Sequence, residues 1–226
     1  MTKNIGVLIS GTGTNLQSII DKKSKGVLSA NIAVVISNNE NAYGLIIAKN
    51  KNIPTHVVPH KDFTTREEHE KKIIDILKGY NVDLVVLAGY MRILTKFFIS
   101  HYPEKIINIH PALLPSFRGV DAQRQAVEYG VKISGATVHF VDEKVDHGPI
   151  IIQGAVPVSP QDKRDDLAQR ILNIEHRILP QAIQWICEGR IKIQGTKVIL
   201  INKNKPKADI KDIMPCLINP QLEEGF

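Results

Sequence analysis

Residues 5–23 read IGVLISGTGTNLQSIIDKK, and their pattern indicates the fold class of the chain. The apolar run 5–9 is typical of a buried β-strand, residues 10–15 contain the glycines of a tight turn, and residues 16–23 have helical spacing. A strand, a glycine turn and a helix in that order open a doubly wound α/β fold. We therefore expect a Rossmann-like, three-layer α/β/α protein with a mostly parallel sheet.

The rest of the chain continues the alternation of strand and helix. Further strands are predicted at 32–36, 56–58, 82–88, 106–109, 136–141 and 149–153. Helices are predicted at 43–51, 65–77, 96–102, 122–129 and 162–187, and a hairpin at 191–201. We expect residues 1–201 to form a single domain and residues 202–226, rich in Lys and Pro, to be a tail that is weakly ordered or packed on the surface.

Composition excludes several classes of function. Lys and Arg exceed Asp and Glu by 29 to 23, but the basic residues are scattered, which argues against nucleic acid and suits anionic small molecules. Cys187 and Cys216 lack metal-ligand spacing. No stretch is long and apolar enough to be a signal peptide or to span a membrane. We expect a cytoplasmic protein, monomeric or homodimeric, without a metal.

The segment 106–115, IINIHPALLP, is the strongest candidate for chemistry. Its apolar strand ends at His110, and Pro111 prevents the strand from continuing in a central position. Asn108 and His110 are two residues apart, so an extended backbone directs both side chains to one face. Asp146, in a turn between two predicted strands, is the best partner for His110, although an Asp in a turn often bonds only its own backbone.

Other polar positions leave alternatives open. The loop at 11–15 begins like a dinucleotide fingerprint, but Leu16 stands where a third glycine is expected, and strand 32–36 is followed by Ser and Asn rather than an acidic residue. This favours phosphate binding over a whole dinucleotide. We interpret His139 as a packed strand histidine. Glu175 in the last long helix either lies at its solvent edge or reaches a substrate amine.

Three ordered motifs carry a family resemblance: NIHPALLP at 108–115, GATVHFV at 135–141 and DHGPII at 146–151. Together they resemble the folate-dependent formyltransferases. The glycine loop, the segment AGYMRIL at 88–94 and the pair Glu175–His176 resemble the members that formylate glycinamide ribonucleotide. The resemblance covers roughly residues 5–201.

The resemblance implies a role for each motif. Catalytic residues would be Asn108, His110 and Asp146. The ribonucleotide would be bound by Gly13, Thr14, Asn15 and Glu175. The co-substrate 10-formyltetrahydrofolate would be bound by Arg66, Met91, Arg92, Ile93, Leu94 and Asn108, with the loop 142–146 closing over the pterin. Three positions depart from the family pattern: Asp121 and Gln123 replace frequent histidines, and Leu172 replaces a frequent polar residue.

A mechanism follows from these roles. Attack of the amine on the formyl carbon gives an oxyanion, to which Asn108 and a protonated His110 would donate hydrogen bonds. Asp146 would raise the pKa of His110 above about 6.5 and assist proton transfer. The alternatives are a formyltetrahydrofolate hydrolase, a nicotinamide-dependent oxidoreductase and a non-catalytic nucleotide-binding module.

Overall fold

The computed structural model describes residues 2–201 and 217–226. The strands are β1 Asn4–Ile9, β2 Asn31–Ser37, β3 Thr55–Val57, β4 Leu84–Leu87, β5 Ile106–His110, β6 Ile133–Phe140, β7 Ile150–Pro157, β8 Ile191–Gln194, β9 Lys197–Leu200 and β10 Leu217–Asn219. The helices are α1 Thr14–Ser24, α2 Tyr43–Lys49, α3 Arg66–Gly79, α4 Lys96–His101, α5 Ala122–Tyr129 and α6 Arg164–Cys187. No helix within the described ranges has both the length and the apolar character needed to cross a membrane.

The chain divides into two compact units. The first contains the described residues up to Asn108 together with Val141–Glu143. Its strands lie in the order β3-β2-β1-β4-β5, and every neighbouring pair is parallel. Strands β1 and β4 are almost wholly buried, as expected for central strands covered on both faces. The predicted Rossmann-like α/β fold with a mostly parallel sheet is confirmed.

The local sequence determines where helix α3 of the first unit begins and which of its faces is buried. Thr65 precedes the helix, and its hydroxyl accepts the backbone N–H of Glu68, whose carboxylate accepts the N–H of Thr65 in return. This reciprocal capping satisfies amides that have no partner within the helix. Ile73 and Leu77 on the opposite face are buried in the core. The helix predicted at 65–77 is therefore confirmed, with its cap at Thr65 and its span running to Gly79.

The second unit contains Ile109–Phe140 and the described residues from Lys144 onward. Strands β6 and β7 form an antiparallel pair, and β8 and β9 form the predicted terminal hairpin. Helix α6 packs against β6 and β7 and has Pro180 within its continuous span. The turn that joins β6 to β7 carries Asp146, so the antiparallel pair positions that residue.

Residues 217–226 belong to this second unit and pack within it. Strand β10 pairs antiparallel with β7, and Leu222 is fully buried. The guanidinium of Arg190, also fully buried, contacts the carboxylates of Glu188 at 3.0 Å and Glu223 at 2.6 Å. The remainder of the predicted tail, residues 202–216, lies outside the described residues.

Candidate active site

Three polar side chains meet in the second unit around the carboxylate of Asp146. Its Oδ2 lies 3.3 Å from Nδ1 of His110 at the end of β5, and its Oδ1 lies 3.6 Å from Nε2 of His139 on β6. The side chains of His110, His139 and Asp146 are only 5%, 2% and 11% exposed. The predicted partnership of His110 with Asp146 is thus present in the structure, and His139 joins it.

Backbone groups fix the orientation of the cluster. The Nε2–H of His110 donates to the carbonyl of Phe117 at 2.8 Å, and the N–H of Gly119 donates to Oδ2 of Asp146 at 2.9 Å. Phe117, Gly119 and Asp146 all have positive φ angles, a conformation that Gly and Asp adopt more readily than Phe. One short loop, residues 117–119, therefore contacts both members of the pair.

The pKa of His110 differs from the sequence-based expectation. Burial lowers the pKa below 6.5 because it penalises the imidazolium, and the opposing effects of Asp146 and the Phe117 carbonyl do not offset it. The prediction that Asp146 holds the pKa of His110 above its ordinary value was wrong. It considered the neighbouring charge without the desolvation that accompanies a side chain enclosed by the fold. Near neutral pH, His110 is therefore mainly an uncharged imidazole.

The pKa of the Asp146 carboxyl group lies below its ordinary value, which is the opposite of what burial alone would produce. Burial alone would raise its pKa, but the hydrogen bond with His139, the N–H of Gly119 and the neighbouring imidazoles together lower it. Asp146 is thus an anion at neutral pH. It is placed to stabilise the imidazolium that forms whenever His110 takes up a proton.

A titration of the His110 imidazole by NMR should give a pKa below 6.5, and Asp146→Asn should lower it further because the carboxylate raises it. Since the folded state binds this proton less readily than the unfolded chain, His110 makes the free energy of unfolding fall as the pH drops below about 6.5. An unchanged or higher pKa in Asp146→Asn would refute the electrostatic coupling.

His139 is the site residue that sequence reasoning missed. Its burial was predicted, but its contact with Asp146 was not. The Nδ1 atom lies 2.8 Å from the carbonyl of Phe140, which turns Nε2 towards Asp146. The alternation of side chains along β6 could have indicated this contact, because it places His139 on the same face as the buried, polar Thr137.

Asn108 belongs to the first unit. It is the third residue of β5, half-buried, and opposite Leu87 of β4 in the parallel register. The strand continues for two more residues to His110. The expectation that Asn108 donates to the reacting oxygen stays a prediction.

The three residues assigned to phosphate lie at the start of α1. Gly13 has φ 76°, and a Cβ at this position would be 2.5 Å from Cα of Gly44, so the loop needs glycine here. Thr14 is the first residue of α1, and Asn15 is buried. The backbone amides at this helix terminus and the helix dipole favour an anion.

The residues assigned to folate lie in two neighbouring elements of the first unit. Arg66 is the exposed first residue of α3, and the segment Met91, Arg92, Ile93 and Leu94 precedes α4. The backbone N–H and the side-chain hydroxyl of Thr95 both donate hydrogen bonds to the carboxylate of the buried Glu70 in α3. These two bonds anchor the end of the segment. Met91 and Ile93 are exposed, whereas Leu94 is buried. The expectation that this segment binds folate stays a prediction.

Glu175 lies on α6 in the second unit and is buried, so it is not at the solvent edge of the helix. Within residues 2–201 and 217–226, no group of three His, Cys, Asp or Glu side chains is arranged to hold a metal ion.

Comparison with known proteins identifies the family of this chain. The sequence profile described as "Formyl transferase" matches residues 3–183, which span β1 through most of α6. The chain belongs to the formyl transferase family. His110, His139 and Asp146 all lie within the matched region.

Named relatives of this formyl transferase agree with the assignment. It is 45% identical over 206 residues to the phosphoribosylglycinamide formyltransferase of Haemophilus influenzae, covering 91% of this chain and 97% of the relative. The crystal structure of glycinamide ribonucleotide transformylase 1 from Symbiobacterium toebii is 47% identical with a TM-score of 0.88, covering 89% of this chain and 95% of that one. A formyltetrahydrofolate deformylase from Pseudomonas syringae is 30% identical with a TM-score of 0.84, but only 67% of its chain is covered.

Proposed function

We propose that this formyl transferase moves the formyl group of 10-formyltetrahydrofolate to the amine of glycinamide ribonucleotide, a step of purine biosynthesis. The observation that carries the proposal is the buried His110–Asp146 contact at 3.3 Å in a chain of this family. The identity and nearly complete coverage of the Haemophilus influenzae relative support the same substrates.

The reaction forms a C–N bond to the acceptor amine and breaks the C–N bond to the folate, with one proton passing from the amine to the folate nitrogen. Asn108 donates to the oxyanion of the tetrahedral intermediate. His110 begins as a neutral imidazole and takes up the proton of the amine, which makes it an imidazolium beside the carboxylate of Asp146. It then donates this proton to the folate nitrogen and returns to its neutral form. To accept the proton at Nε2, the imidazole must release the carbonyl of Phe117 and carry its own proton on Nδ1, which faces Asp146.

In this proposal Gly13, Thr14 and Asn15 bind the phosphate of the ribonucleotide, and Glu175 binds its amine end. Arg66, Met91, Arg92, Ile93 and Leu94 line the folate site, with Asn108 at the reacting end. Residues 1–201 are the catalytic domain and residues 202–226 a C-terminal segment. The enzyme acts in the cytoplasm as a monomer or homodimer.

A single assay tests the reaction. The purified protein is mixed with 10-formyltetrahydrofolate and glycinamide ribonucleotide, and the formylated product is followed by mass spectrometry. Formate release without the acceptor measures the hydrolase alternative, and we expect it to be negligible. Rapid formate release with no formylated ribonucleotide would replace the proposal by a deformylase.

Loss of phosphate contacts should affect substrate binding more than turnover. Thr14→Ala and Asn15→Ala should each raise KM for the ribonucleotide by about ten-fold or more, since a hydrogen bond to a charged group contributes about 1.5–3 kcal/mol. Turnover should change less, because the phosphate is bound equally in ground and transition states. Thr12→Ala, an exposed neighbour in the same loop, is the control. Equal losses in KM and kcat would contradict phosphate anchoring.

A further inference from the structure

The loop 117–119 contacts both members of the His110–Asp146 pair, and its half-buried Phe117 packs edge-on against Tyr129 of α5, with the ring centroids 6.0 Å apart. Phe117 accepts from His110, and Gly119 donates to Asp146. Arg118 and Val120, between and after them, are exposed. The loop leads into α5, an eight-residue helix that buries only two small side chains, Ala122 and Ala126. Polar contacts at the end of the loop add to this limited apolar packing.

Asp121, the last residue before α5, provides such a contact. Its φ is 57°, and its carboxylate lies between two arginines. Oδ2 is 2.8 Å from Nε of Arg124, and Oδ1 is 3.0 Å from Nε of Arg164. The two arginines belong to different helices. Arg124 belongs to α5 itself, whereas Arg164 is the first residue of α6, so of these two arginines Arg164 is the one that connects Asp121 to a different helix.

From this arrangement we infer that Arg164 and Asp121 are positioning residues for the reaction. Their ion pair ties the loop 117–119 to α6 and thereby keeps the Phe117 carbonyl and the Gly119 amide in place around His110 and Asp146. The inference rests on the proposed roles of His110 and Asp146.

The chain supplies a matched control for the test. Arg164 and Arg124 contact the same carboxylate and are similarly exposed, at 54% and 60% of the side chain. Arg164→Gln removes the ion pair between Asp121 and α6, together with the contact of Arg164 with its neighbour Asp165 at 2.6 Å, and Arg124→Gln removes an interaction within α5. An exposed ion pair contributes modestly, so we expect Arg164→Gln to lower kcat about three- to five-fold and Arg124→Gln to lower it less than about two-fold.

A positioning role predicts more than a loss of rate. KM for the ribonucleotide should stay unchanged in Arg164→Gln, because the pair acts on the reacting groups. Arg164→Lys should restore most of the turnover, and Asp121→Asn combined with Arg164→Gln should be no worse than the more affected single variant. Raising the salt to 1 M should lower the wild-type kcat towards that of Arg164→Gln and leave the variant nearly unchanged.

Amide hydrogen exchange measures how firmly the loop 117–119 is held, and it needs no substrate. The amide of Gly119 should exchange faster in Arg164→Gln than in the wild type or in Arg124→Gln. The inference would be overturned if Arg164→Gln and Arg124→Gln had the same Gly119 exchange rate and the same kcat. This holds even if both variants lose thermal stability. Should the wild type fail to formylate the ribonucleotide, the proposed function fails while the exchange experiment still decides whether Arg164 holds the loop.

Discussion

His110→Ala and Asp146→Asn are each expected to lower kcat by about 100- to 10,000-fold, the range contributed by a positioned acid or base. His110→Ala removes the group that takes up the proton. Asp146→Asn removes the negative charge that stabilises the resulting imidazolium and leaves His110 a weaker base. KM for the ribonucleotide should remain close to the wild-type value, because neither residue is assigned to the phosphate. Steady-state kinetics with saturating folate measures both quantities.

The exposed His101 of α4 provides the control, since His101→Ala removes an imidazole outside the cluster. Circular dichroism and thermal melting establish that each variant is folded. Wild-type turnover in either His110→Ala or Asp146→Asn would remove that residue from the mechanism. A rise in KM without a fall in kcat would instead assign it to substrate binding.

Gly135→Ala is expected to prevent folding or to lower the free energy of unfolding by at least about 3 kcal/mol. A Cβ at Gly135 would lie 1.9 Å from the carbonyl oxygen of Gly154 and 2.9 Å from Cδ2 of Leu113. The nearest atom belongs to the backbone of β7, so the clash cannot be relieved by a side-chain rotation. Because β6 and β7 position His139 and Asp146, activity should be lost with the fold.

Thermal melting compares this variant with Gly79→Ala. Gly79 ends α3 and has no atom within 4 Å of an added Cβ. Alanine there should leave stability unchanged or raise it by up to about 1 kcal/mol. A Gly135→Ala protein as stable as the wild type would show that the two strands can separate at little cost.

The sequence predicted those parts of the molecule that depend on local chemistry. The turn at residues 10–15, the cap at Thr65 and the abrupt end of β5 before Pro111 each follow from a few neighbouring residues. The pairing of His110 with Asp146 was predicted as well, although it joins positions far apart in the chain. That prediction came from the position of Asp146 in a turn between two strands, and the ordered motifs of the family it resembles implied the same partnership.

Other features required the three-dimensional arrangement. The lowered pKa of His110 depends on how completely the surrounding chain excludes water from it, and no pattern of residues states that degree of burial. The contact of His139 with Asp146 depends on the exact path of the turn between β6 and β7. The pairing of β10 with β7 joins segments separated by more than sixty residues, as the register of Leu217 with Ala155 illustrates.

The ion pair between Arg190 and Glu223 has a practical consequence for trimming the protein. A version cut after residue 201 would keep a fully buried guanidinium but lose one of its two carboxylates, and breaking a buried pair costs about 3–5 kcal/mol. It would also uncover the apolar surface against which Leu222 packs. Crystallographers and enzyme engineers seeking a minimal catalyst should therefore retain the final ten residues, because a shorter product would be prone to aggregate during purification.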